Sequence, residues 1–226
     1  MGYKEEEISP IQRQTTQIMS EMVHAAETLA NIGPAISLFG SARIKTDSPH
    51  YQKSEKIAQL LAKAGFAVIA GGGPGIMEAA NKGAFEAGGT SIGLHIKLRH
   101  EAKANPFLSL ELPFQHFVSR KSTFFMHSLA YVCLPGGFGT LDELFEALTL
   151  MQTGKIPTCP VILVGKDFWS GMMSWIQEHL AGNALINAID PKSFFIEDDP
   201  ERVVAHLVKF YQENPQILKL QPNRPS

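Results

Sequence analysis

The segment Pro135-Gly136-Gly137-Phe138-Gly139-Thr140 leaves a short apolar run and opens a helical pattern. Glycines let the backbone take positive φ and approach a ligand closely. The N–H groups that begin a helix have no acceptor inside it and favour an anion, a phosphate above all. The segment is not a P-loop, because the Lys-Ser/Thr pair is missing. It is not the dinucleotide fingerprint either, because the spacing is Gly-Gly-x-Gly-Thr. Three residues on stands Glu143, and it admits two readings. Thr140-Leu141-Asp142-Glu143 spells a capping box, with Thr140 as N-cap and Glu143 serving only a backbone N–H; the helix dipole then favours both acids. The same placement aims a carboxylate at the mouth where a phosphate-bearing ligand would sit. Glu78 holds the corresponding place after Gly71-Gly72-Gly73-Pro74-Gly75. Both carboxylates would face one crevice.

Arg120-Lys121 is the next feature. On a helix from residue 116, these cations lie beside Phe117, Phe124 and Phe125. One reading is snorkelling, with stems on apolar surface and heads in water. The other is that they meet an oxyanion, for which the arginine fork is suited. Ser41 sits in a further turn, Gly40-Ser41-Ala42-Arg43. It lacks the Gly-x-Ser-x-Gly context, so it is read as a binding residue and not as a nucleophile. The histidines show no zinc-site spacing with Cys or Glu. Of these, only His116 and His127 flank the Arg-Lys pair on the chain.

These residues need elements to position them. Residues 9 to 31 carry Ile11, Ile18, Met22, Ala25 and Leu29 at near-helical spacing, which predicts a helix. Short apolar strands then alternate with helices. Strands are predicted at 35–40, 66–70, 91–96, 108–112, 130–134, 160–164 and 194–196. Helices are predicted at 51–64, 76–87, 116–128, 141–152, 168–180 and 199–213. Near-continuous apolar strands between helices imply a mostly parallel sheet covered on both faces. Right-handed crossovers make it a doubly wound, Rossmann-like α/β domain. Ligands of such sheets bind at the carboxyl ends of the strands, where all three glycine turns fall. We therefore divide the chain into a helical extension (1–34), a nucleotide-binding catalytic domain (35–214) and a tail (215–226). The polar stretch 97–106 is the candidate for a loop closing over the site.

Composition narrows the function. The chain has 226 residues, 44% hydrophobic and 19% charged, with a net charge of −2. That composition buries a core and gives no basic surplus, which argues against a dedicated nucleic-acid binder. Cys133 and Cys159 each sit in an apolar run and read as core, not as a disulfide. There is no run of 18 apolar residues, and the start is acidic, so neither a membrane span nor a secretory signal is expected. The expected location is cytoplasmic.

Pro135 to Glu143 resembles the Pro-Gly-Gly-x-Gly-Thr-x-x-Glu motif of the LONELY GUY family of phosphoribohydrolases, which act on nucleoside 5'-monophosphates, including cytokinin forms. Arg120-Lys121 looks like that family's Arg-Lys pair, and Gly71 to Ala79 is similar to its second glycine segment. The resemblance runs from about Ala35 to Val208. It implies hydrolysis of an N-glycosidic bond, with Glu143 and Arg120 catalytic. Gly136, Gly137, Gly139, Thr140, Lys121, Glu78 and Ser41 are then substrate-binding. It implies no metal or redox cofactor, a small-molecule nucleotide as partner, and a homodimer or higher homo-oligomer formed through apolar helices. Phe117 and Val118 stand where the plant and fungal branch commonly has Met-His, while the long amino-terminal helix and the stretch from Leu148 to Lys155 look like the longer bacterial branch, so AMP is the expected substrate. Family members often carry a lysine decarboxylase label. That chemistry needs a Schiff-base lysine and a partner for a pyridinium nitrogen, and no such constellation is visible. The rival reading is a nucleotide or molybdenum-cofactor carrier, which needs the phosphate cradle but not both Arg120 and Glu143.

Overall fold

The computed structural model describes residues 9–97, 103–187 and 193–217. Seven strands form one sheet: β1 (Ala35–Phe39), β2 (Ala67–Ala70), β3 (Ser91–Ile96), β4 (Leu110–Phe114), β5 (Tyr131–Cys133), β6 (Val161–Leu163) and β7 (Phe194–Ile196). The helices are α1 (Pro10–Thr28), α2 (Pro49–Lys63), α3 (Ile76–Glu86), α4 (Phe117–His127), α5 (Phe138–Gln152), α6 (Lys166–Trp175) and α7 (Pro200–Glu213). A π-helical turn at Ile176–Ala181 extends α6. The strand order is β4-β3-β2-β1-β5-β6-β7, and every pairing is parallel. The order reverses between β1 and β5, which opens a crevice at their carboxyl ends.

Alternation along each strand splits the core into two layers. Ala35, Phe39, Tyr131 and Cys133 face one layer, with Ala25 of α1, Phe124 of α4, Leu144 of α5 and Trp169 of α6. Ile36, Leu38 and Val132 face the other, with Ile57 of α2, Ile76 of α3 and Leu207 of α7. Cys133 and Cys159 are buried free thiols, as packing residues should be. Burial pushes the Cys159 thiol up to about 12. Among the described residues no helix is long and apolar enough to cross a membrane.

The predicted extension is more than an appendage. A capping box between Ser9 and Gln12 starts α1, with Pro10 in its first turn. Glu21 of α1 then reaches the beginning of α4, which has no side-chain cap of its own. It accepts the Gln115 N–H at 2.9 Å, stands 3.3 Å from His116 Nδ1, and accepts a short hydrogen bond from the Ser119 hydroxyl. Desolvation raises this carboxyl, but the hydrogen bonds outweigh it and hold it below its ordinary range. A carboxylate at a helix N-terminus also meets the positive end of the dipole. Thus α1 braces the helix that carries Arg120.

Three expectations need correction. First, α5 starts at Phe138, not at Leu141, with Gly137 as its N-cap and no side-chain cap bond. The capping box between Thr140 and Glu143 therefore does not form, and Glu143 belongs to the second turn. Thr140 packs against Gly136 instead, where a Cβ would overlap its hydroxyl. Second, β4 lies two residues later than expected and includes Pro113, which its position at the sheet edge tolerates. Third, part of the expected closing loop is pinned. Asn105 is buried; its N–H donates to Gly72 O at 2.8 Å, and its amide to Gly73 O at 3.1 Å and Asn81 Oδ1 at 3.0 Å. Residues 98–102 of that loop and 218–226 of the expected tail lie outside the described residues.

Candidate active site

The three glycine turns meet in one crevice of about 630 Å³, a volume typical of small-molecule sites. Its rim at β5 is the start of α5. There the first turn directs the N–H groups of Phe138, Gly139 and Thr140 outward without helical acceptors, while Leu141 N–H already donates to Gly137 O at 3.0 Å. Next come Ser41 and Arg43 after β1, and Gly71 and Gly73 after β2. The Ser41 carbonyl accepts the Ile76 N–H at 3.0 Å, and its hydroxyl accepts the Arg43 N–H at 3.1 Å. The turn after β1 is thereby tied to the start of α3.

Arg120 enters from α4 and is only 7% exposed. Its Nε donates to Leu94 O at 2.6 Å and its Nη2 to Gly71 O at 3.4 Å. The guanidinium lies 5.4 Å from the Phe124 ring centroid, within cation–π range. A Cβ at Gly71 would collide with Arg120 Nη2 and Met77 Sδ, so the glycine there makes room for the arginine. Glu143 enters from α5, with Oε1 3.7 Å from Arg120 Nη1. That is an ion pair but too long for a hydrogen bond. Burial pushes the Glu143 carboxyl up to about 7, the Arg120 charge opposes this, and Asp142 adds to it. A carboxyl poised near neutrality can exchange protons with a substrate or water at physiological pH.

The remaining predicted residues separate. Gly137, Gly139, Thr140 and Ser41 line the crevice with Arg120 and Glu143. Gly136 lies just behind, under Thr140. Lys121 points elsewhere, 2.8 Å from Asp142 Oδ2 and 2.5 Å from Glu146 Oε2. Glu78 is in the first turn of α3 as expected, but it does not line the crevice, and Tyr51 donates to it at 2.9 Å. His116 is occupied by Glu21. His127 is buried, which depresses it to about 4. Two titratable lining residues were not singled out from sequence, Arg43 and His95. Each follows or ends a strand at the carboxyl edge of the sheet. That position, in a doubly wound fold, is the signal by which they are recognisable.

A family profile described as "Possible lysine decarboxylase" matches residues 77–207, more than half of the chain. A cytokinin riboside 5'-monophosphate phosphoribohydrolase of Rhodococcoides fascians is 25% identical over 177 residues, covering 76% of this chain and 87% of that protein. A plant enzyme of the same description, from Arabidopsis thaliana, is 42% identical over 60 residues; the match covers 26% of this chain and 27% of the plant protein. The solved structure of a molybdenum cofactor binding protein from Rippkaea orientalis has a TM-score of 0.59 at 23% identity, covering 79% of this chain and 97% of that one. At that identity the likeness is one of fold.

Proposed function

The chain belongs to the family described as "Possible lysine decarboxylase", that of the LONELY GUY phosphoribohydrolases, and on that premise we propose that it hydrolyses the N-glycosidic bond of nucleoside 5'-monophosphates. AMP is the first substrate to expect, cytokinin riboside monophosphates a further class, and the products are the free base and ribose 5-phosphate. The observation that carries this reading is the buried Arg120–Glu143 pair in the same crevice as the open start of α5.

The phosphate binds on the N–H groups of Gly137, Gly139 and Thr140, helped by the positive end of the α5 dipole. Arg43, which lines the crevice, takes the part of second cation for which Lys121 was expected. Ser41 lies beside it and suits the ribose hydroxyls. Binding energy from the phosphate positions the sugar over Glu143. As the base departs, positive charge grows on the ribose ring. By analogy with glycosidases, the Glu143 carboxylate stabilises that charge and takes a proton from the attacking water. Arg120 stays protonated throughout. It orients Glu143 and keeps a fraction of it ionised near neutrality. Lysine decarboxylation fits the crevice less well, because no lysine lines it among the described residues and decarboxylation of lysine through pyridoxal phosphate needs one there.

The same premise carries a cytoplasmic location and a homodimer formed through α4 and α5, whose Val118, Met126 and Phe138 are exposed. Light scattering on the eluting protein tests the dimer, and a monomeric mass removes it. The reaction is tested by incubating the purified protein with AMP, CMP, GMP, IMP and a cytokinin riboside monophosphate. Released base and ribose 5-phosphate are followed by chromatography. Release from at least one supports the hydrolase. Nucleotide retained by the protein with no base released contradicts it and leaves the carrier reading.

A further inference from the structure

The crevice crosses the carboxyl ends of four neighbouring strands, β5, β1, β2 and β3. Three strand spacings amount to about 14 Å, room for phosphate, sugar and base laid end to end. The two ends differ in chemistry. The β5 end offers backbone N–H groups. The β3 end offers the apolar side chains of Met77, Ile96 and Phe117 and, among the described residues, one titratable group, His95. Arg120 and Glu143 stand between them.

His95 is held. Its side chain is 13% exposed, and its Nδ1 lies 3.7 Å from Glu111 Oε1 on the edge strand. Nδ1 is thus the nitrogen turned to the acid, which leaves Nε2 as the nitrogen for the crevice. Among the described residues, Glu111 from β4 stands against it and Arg120 from α4 lines the same crevice. His95 also directly follows Leu94, whose carbonyl anchors Arg120 Nε. One strand end therefore fixes both groups relative to each other.

Hydrolysis of a nucleotide has a second proton to account for. With Glu143 taking the proton of water, the departing base needs a donor, because a purine anion leaves poorly and Arg120 keeps its proton. We propose that His95 meets the base and supplies that proton, an inference that rests on the nucleotide hydrolysis proposed above. The bond between C1' and the base nitrogen breaks, and its electron pair stays with the base. The Nε2 proton of the imidazolium passes to a ring nitrogen of the base. The water oxygen bonds to C1', and the water proton goes to Glu143. Neutral His95 and protonated Glu143 then exchange one proton through solvent, which restores the starting state. His95 is thus a catalytic residue.

The test assays wild type, His95→Gln and His95→Ala on two substrates. One is AMP. The other is 7-methylguanosine 5'-monophosphate, whose alkylated base departs without needing a proton. Thermal melting checks the fold, and His95→Gln carries the test where His95→Ala melts early. On AMP, kcat is expected to fall on the order of 100-fold with KM little changed. On the methylated nucleotide the fall is expected to be far smaller. Equal losses on both nucleotides, or undiminished AMP turnover, overturn the proposal. Where wild type accepts AMP alone, the kcat loss at steady KM and melting temperature decides, and its absence overturns the proposal. A wild type that releases base from neither nucleotide, nor from any in the wider panel, overturns the hydrolase reading itself.

Discussion

Arg120 and Lys121 are neighbours on α4, and Glu143 and Asp142 are neighbours on α5, yet the two ion pairs they form are unlike. Successive residues of a helix point about 100° apart, enough to send one cation into the crevice and the other to its outer side. Lys121 is held tightly, at 2.8 Å from Asp142 and 2.5 Å from Glu146. Desolvation would lower its ammonium, but those two carboxylates hold it above its ordinary range. Arg120 and Glu143 are more deeply buried and stand 3.7 Å apart, and there burial raises the carboxyl. A closely satisfied pair at the rim ties two helices together and has little left to offer a ligand. A buried, loosely closed pair keeps a carboxyl near neutrality where a nucleotide would lie. Proximity in sequence to a proposed catalytic residue is therefore no guide to role here.

Four expected outcomes would sharpen or break this contrast. The largest effect belongs to Glu143→Gln, which should lower kcat on AMP on the order of 10³-fold while calorimetry still shows AMP binding. Turnover at the wild-type rate would return Glu143 to a structural part. Arg120→Ala should cost on the order of 10²-fold in kcat/KM. It should also move the acid limb of the pH profile upward, because the arginine charge now holds the Glu143 carboxyl down. An effect on melting temperature alone would make Arg120 a packing residue.

The third outcome concerns stability. The Glu143 carboxyl is raised from 4.5 to about 7 in the fold. Its contribution to stability is thus full below about 4.5 and is lost as pH rises through about 7. Above neutrality the buried carboxylate burdens the fold by, at most, on the order of 3 kcal/mol. Glu143→Gln should then melt several degrees higher than wild type in mildly alkaline buffer, and the gap should close in acid. Equal melting at all pH values would contradict the shifted carboxyl. The smallest effect is that of Lys121→Ala. It should cost about 1 kcal/mol, since Asp142 is largely solvent-exposed and Glu146 only partly buried, and leave AMP turnover in place. A collapse of turnover would put Lys121 back in the site.

Much of the fold is legible in the sequence because most strands are compact apolar runs closed by glycine or a polar turn. The alternation of Ile36 and Leu38 with Ala35 and Phe39 already implies a sheet buried on both faces. The beginning of α5 is not legible. Thr140-Leu141-Asp142-Glu143 spells a capping box, but Gly137 begins the helix one turn sooner, and local spelling gives way to the tight packing of Thr140 on Gly136. The split between Arg120 and Lys121 is illegible for a similar reason. Both flank the same aromatic residues, and only the placement of α5 decides which cation meets which acid. His95 interrupts the apolar run Leu94-His95-Ile96, a polar break at a strand end that marks a site only once the strand order is known. The bracing of α4 by Glu21 spans about a hundred residues of chain, beyond any local pattern.

The most direct test of the central claim is the pH dependence of kcat/KM for AMP, measured on wild type, Lys121→Ala and Arg120→Lys in parallel. The account predicts an acid limb near pH 7 in wild type, set by the Glu143 carboxyl. Lys121→Ala should keep that limb in place, and Arg120→Lys should displace it. A wild-type profile flat through neutrality, or a limb that moves with Lys121 and not with Arg120, would contradict the assignment of the chemistry to the buried pair.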